Sequence, residues 1–130
     1  MSEPVFLGLD EVLAIHADQI RRYGGASGIR DLTLLSSAMA MPETIFDGEY
    51  LHGNDFERAA AYLFYIARNH PFLDGNKRTA LMSSLAFLGL NGQRLQAESD
   101  SLYDLVDGVA DWSVDKSQVA VFLRDHCEDR

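Results

Sequence analysis

Eleven residues, Asn69 to Thr79 (NHPFLDGNKRT), bring an imidazole, a carboxylate, side-chain amides, an ammonium and a guanidinium into one short stretch. Their types and spacing suggest a division of labour. The His70 imidazole can take a proton from a hydroxyl near neutral pH. Asp74, four residues on, offers a lone carboxylate. Beside bound phosphates such a group is the usual way to hold Mg²⁺, which keeps water and phosphate oxygens as its other ligands. Gly75 would let a ligand come close to the backbone. Asn76, Lys77 and Arg78 then open a helix whose first N–H groups lack internal acceptors and carry the positive end of the dipole. Two cations there oppose the dipole unless an anion compensates them, and a phosphate is the natural occupant. A base, a metal holder and an anion cradle are the parts of a group-transfer enzyme.

Each part alone has a plainer reading. Asp74-Gly75-Asn76 is also a common turn whose Asp or Asn would cap the next helix. Lys77-Arg78 in isolation is a solvated pair, and Phe72 reads as a core anchor. Only the combination points to chemistry. The stretch is not a P-loop, because Lys77 follows Asn76 where that motif needs a glycine. A zinc site is a poor fit. His126 and Cys127 are adjacent and would point apart on a helix, and His16 and His52, without ligand spacing, read as partly exposed polar residues.

The elements around the motif must position it. Pro71 disfavours the α region for His70, so the preceding helix should stop at or just before that residue. Two segments flank the turn: Asp55 as a cap followed by FERAAAYLFYIARN, and residues 77–90, closed by Asn91-Gly92. Both are apolar on nearly every face, the pattern of buried helices. Upstream, Asp10 is a candidate cap for a helix running to Tyr23, stopped by Gly24-Gly25, and Asp31 for one that ends before Pro42. The segment 24–30 (GGASGIR) reads as a flexible loop. In residues 42–54, short apolar pieces flank Asp47-Gly48, which fits either a hairpin or a long loop. Amphipathic helices starting near Ser99 or Asp100 and near Asp115 complete the pattern. The expected fold is all-α, with about six helices and two central ones joined by the motif.

With 130 residues and 47% hydrophobic content, the chain suits a single domain over 1–130. Its one cysteine, Cys127, excludes an internal disulfide and fits a reducing compartment. No signal segment or membrane-length apolar run is visible, so a cytoplasmic location and no membrane partner are expected. The net charge of −9 argues against direct nucleic-acid binding and favours locally basic partners.

The segment His70 to Arg78, HPFLDGNKR, resembles the Fic/Doc signature HPFx(D/E)GN(G/K)R. Lys77, where Fic proteins carry Gly, makes it similar to the Doc branch, and both flanks (24–42 and 79–92) agree. The resemblance implies a small helical toxin held by a Phd-like antitoxin. Fic proteins transfer AMP from ATP to a target hydroxyl. Doc toxins bind the nucleotide reversed and transfer the γ-phosphate, with elongation factor Tu as target, at a threonine. Carried over by position, His70 is the general base, Asp74 the Mg²⁺ holder, and Gly75, Asn76, Lys77 and Arg78 the phosphate cradle. Residues 44–54 take the place of the flap that docks the target. Many AMP-transferring relatives carry a second Arg three residues after the first, and here that position is Leu81. Lys77 and Leu81 thus favour phosphate transfer over AMP transfer. An inactive binding module is the third reading, against which the full motif stands.

Overall fold

The two apolar stretches that flank the motif fold as the central helices of the domain. A computed structural model of the chain describes residues 3–129. Among them, six helices make the body: α1 (Leu9–Tyr23), α2 (Leu32–Ala40), α3 (Asp55–Asn69), α4 (Asn76–Leu90), α5 (Ser99–Ala110) and α6 (Lys116–His126). A short 3₁₀ turn, Met41–Glu43, follows α2 with Pro42 in its first positions, where a missing N–H costs nothing. The fold is all-α, as expected, with only small strand pairs added.

The α3 and α4 helices form the centre of the core, and small residues on both, Ala59, Ala60 and Ala61 of α3 and Ala80, Ser83 and Ser84 of α4, are fully buried. The Ser84 hydroxyl donates 2.8 Å to the Ala59 carbonyl, which ties the pair together without a bulky side chain. Tyr62, Leu63, Ile66, Phe87 and Leu88 extend the same core to α2, α5 and α6. The Tyr62 hydroxyl is not left unpaired, since it accepts from Leu7 N–H at 3.0 Å. One face of α4 is less covered than its composition suggests. Met82 and Leu90 are partly exposed, and with Ala14, Ile15 and Leu85 they line an apolar groove between α1 and α4.

Asp31 caps α2 as expected, accepting from Leu34 N–H, and Asp115, near which the last helix was expected to start, caps α6 by accepting from Gln118 N–H. Two caps differ from the sequence reading. Asn54 rather than Asp55 caps α3, accepting from Glu57 N–H at 2.9 Å. Gly8 precedes α1, so Asp10 falls in the first turn, and Glu11 instead closes that end by accepting from Gly8 N–H. Each shift is a residue or two, because neighbouring Asp, Asn and Gly compete for one role.

Residues 45–50 form the hairpin. Strand β1 (Ile45–Phe46) pairs antiparallel with β2 (Glu49–Tyr50). Asp47 and Gly48 both take positive φ, which a tight two-residue turn demands. A second pair, β3 (Gln93–Leu95) with β4 (Cys127–Asp129), joins the chain end to the segment after α4 and was not foreseen. No helix is long and apolar enough to cross a membrane among the described residues.

Candidate active site

The motif turn runs from the end of α3 to the start of α4. At His70 the chain enters the left-handed region (φ 49°), which ends α3 and lets Pro71 follow. A side chain then closes the turn. Asn76 accepts from Phe72 N–H at 2.9 Å through Oδ1 and donates to Phe72 O at 3.0 Å through Nδ2. Its buried amide is thus spent on the turn, and only its backbone N–H remains for a ligand. The second Nδ2 hydrogen faces His70 Nδ1 at 3.3 Å. With Nδ1 accepting, the proton of the neutral ring sits on Nε2. Action as a base through Nε2 needs the other tautomer, and the long Asn76 contact is what that exchange gives up.

The loop 24–30 is not free. It is zipped to the turn by the Arg30 and Asp31 N–H groups on Pro71 O, and by Leu73 N–H on Gly28 O at 3.1 Å. Arg30 adds side-chain bonds to the His70 and Asn69 carbonyls, at 2.6 and 2.9 Å. Asp74 joins from the other side: its Oδ2 accepts from Ala26 N–H at 2.7 Å. Gly25 stands where this contact needs it, since a Cβ there would lie 3.1 Å from Asp74 Cβ, at a φ of +114°.

Sequence reasoning missed His16. It is buried rather than partly exposed. Its ring stacks on Phe72 at 3.8 Å and 7°, and Nε2 donates to Asp74 O at 2.8 Å. It is a positioning residue that fixes the motif backbone from α1. No spacing rule could find it, because its partners lie 56 and 58 residues away. His52 is also buried. Its Nε2 lies 3.0 Å from Lys116 Nζ, which in turn donates to Tyr65 O–H. Burial, and then the Lys116 ammonium, push His52 below the usual histidine range. This cluster edges a small cavity of about 220 Å³ between α3 and α6, outside the motif.

At the start of α4, Gly75 (φ 76°) precedes the helix and provides no side-chain cap. No carboxylate occupies the first turn. Among the described residues the Asn76, Lys77 and Arg78 N–H groups therefore have no side-chain acceptor, the arrangement that binds anions. The two cations flank this start on opposite sides rather than converging. Lys77 reaches Asp107 of α5 at 2.9 Å in a pair about half exposed. Arg78 turns toward α1, its guanidinium 5.0 Å from the Tyr23 ring and 3.5 Å from Gly24 O, while its Nε is buried without a partner. An exposed pair such as Lys77–Asp107 is worth about 0–1 kcal/mol, so Lys77 is readily given up to a stronger anion. Among the described residues, no cluster of three His, Cys, Asp or Glu could hold a metal by itself. Among the described residues Asp74 Oδ1 has no hydrogen-bond partner, and one hard oxygen is what Mg²⁺ takes when phosphates and water supply the rest.

A central helix pair joined by this turn, with an imidazole at one helix end and an uncapped cationic start at the other, is the architecture the Fic/Doc resemblance implies. The Fic/DOC family model matches residues 6–88, and this chain belongs to that family. It is 38% identical over 103 residues to Toxin Doc of Mycolicibacterium smegmatis, covering 78% of this chain and 79% of the relative. It is 38% identical over 115 residues to Protein kinase doc of Escherichia phage P1, covering 88% and 90%.

Proposed function

We propose that this chain is a Doc-type toxin that transfers the γ-phosphate of ATP to a hydroxyl of a target protein. The observation that supports it best is the α4 start: N–H groups between two weakly held cations, with His70 six residues before Asn76 and joined to it through the amide. The likeness to Protein kinase doc over nearly the whole chain adds to it. In the reaction, the hydroxyl oxygen bonds to the γ-phosphorus and the bond to the β–γ bridging oxygen breaks, so that ADP leaves. The hydroxyl proton passes to His70. The α4 N–H groups, Lys77 and Arg78 hold the phosphate oxygens, and Asp74 would hold Mg²⁺, which screens their charge.

The target we expect is elongation factor Tu, at a threonine, and the partner a Phd-like antitoxin. The hairpin suits target docking, because Ile45 and Phe46 are exposed and its edge is unpaired. Its other strand is anchored by Tyr50, which contacts Phe6 and lies under the Arg58 guanidinium. Incubation with elongation factor Tu and ATP labelled at the α or the γ position tests the reading. Label should move only from the γ position. Transfer of the α label would overturn it in favour of AMP transfer, and no transfer from an ATP-bound chain in favour of a binding module.

A further inference from the structure

The α5–α6 turn carries an exposed aromatic residue that the motif does not explain. Trp112 is 75% exposed and sits at φ 71°, a conformation that bulky residues rarely adopt. The turn around it is tightly built. Trp112 N–H donates to Val109 O, and the Ser113 and Val114 N–H groups both reach Gly108 O at 2.9 and 3.0 Å. A Cβ at Gly108 would collide with the Val114 side chain, so that position needs glycine. One face of the indole is covered by the Arg68 guanidinium at 3.6 Å. Arg68 is held in turn by the Phe64 ring at 4.3 Å and by the Val109 and Val114 carbonyls. Among the described residues, the other face of the indole carries no ring or cation partner.

This platform stands beside the site. Arg68 lies two residues before His70, and Lys77 reaches across to Asp107 at the end of α5. Asp111, next to Trp112, is held below its usual carboxyl range first by Ser113 and also by the Lys77 charge. A rigid, strained aromatic with one face braced and one open is suited to stack a flat ring, and every nucleobase offers one. We propose that Trp112 is the surface on which the adenine of bound ATP stacks, while the triphosphate lies at the start of α4. The proposal rests on the nucleotide-binding reading above. A protein partner seated on Trp112 is the competing occupant.

Trp112 is the only tryptophan of the chain, so its fluorescence reports this position alone. Magnesium-ATP should change the emission, and inorganic tripolyphosphate, which has no base, should bind with the indole unmoved. Trp112→Gly suits the positive φ and keeps the fold testable by thermal melting. Calorimetry on that variant should show ATP bound about 10- to 100-fold more weakly, on the usual scale for loss of a base–aromatic stack. Its tripolyphosphate affinity should be unchanged, and Trp112→Phe should fall between. Wild-type affinity for ATP in Trp112→Gly would overturn the proposal, as would ATP binding without an emission change. So would an indole that answers only to elongation factor Tu. Should neither ATP nor tripolyphosphate bind, the nucleotide reading itself fails, a result distinct from loss of the base contribution alone.

Discussion

The two central helices begin in opposite ways. The start of α3 is closed: Asn54 caps it, Asp55 and Glu57 complement the dipole, and Glu57 also accepts from Gly53 N–H at 2.8 Å. The start of α4 has a glycine for a cap, no acidic residue and two cations. By local propensity the second is the worse helix start, with like charge set against the dipole. Neighbouring structure supports it nonetheless, through Asn76, Arg30 and His16. A terminus kept poor in its own partners but rigid in its backbone is a place for an external anion. A closed terminus contributes to stability and has little left to offer a ligand.

Breaking this contrast at the chemistry should give the largest effect. His70→Asn, which tolerates the left-handed backbone, should lower γ-phosphate transfer about 100- to 10,000-fold, the usual range for a lost general base. ATP affinity and melting temperature should stay near wild type, and a fully active variant would remove His70 from the role of base. Next is the support beneath the turn. His16→Ala removes the ring under Phe72 and the donor to Asp74 O, and should cost about 2–4 kcal/mol in denaturant unfolding. His16→Phe should recover most of the ring packing but not the bond.

Two milder substitutions set the helix starts against each other. Asn54→Ala should cost about 1 kcal/mol of stability, as lost caps do, and leave ATP affinity unchanged. Lys77→Gln should do the reverse. Without ligand it should be neutral or stabilising by about 0.3–1 kcal/mol, as a cation leaves the positive dipole end, while ATP binding by calorimetry weakens. A loss of stability in Lys77→Gln with ATP affinity intact would reverse the assignment. The smallest effect concerns the cluster behind the hairpin. His52 is held below the histidine range, so the unfolded chain takes up its proton first as pH falls. Its contribution is fully present above pH of about 6.5 and is lost as acid reaches the folded value. Lys116→Met should flatten that acid limb in melting scans.

How far the sequence could be read follows from which contacts are local. The helix pair, the break at His70, the Asp31 cap and the helix start near Asp115 depend on neighbours within a turn, and all were legible. The Asp47-Gly48 pair suggested a hairpin but could not exclude a loop, because two-residue strands carry almost no alternation. Long-range partners left no trace. Nothing in the spacing of His16 links it to Phe72, and β4 pairs with β3 across more than thirty residues. At the site itself, residue types pointed to the α4 start, but not to the work of each side chain. Asn76 closes the turn from within, and Lys77 and Arg78 part to opposite flanks.

The central claim is that phosphate oxygens settle on the uncapped start of α4. Backbone amide resonances followed during titration of the full chain with magnesium-ATP test it most directly. The account predicts the largest shifts at Asn76, Lys77 and Arg78, with those at Asp55, Phe56 and Glu57 unmoved. Saturable binding that leaves the α4 amides in place, or that shifts the α3 start instead, would contradict it.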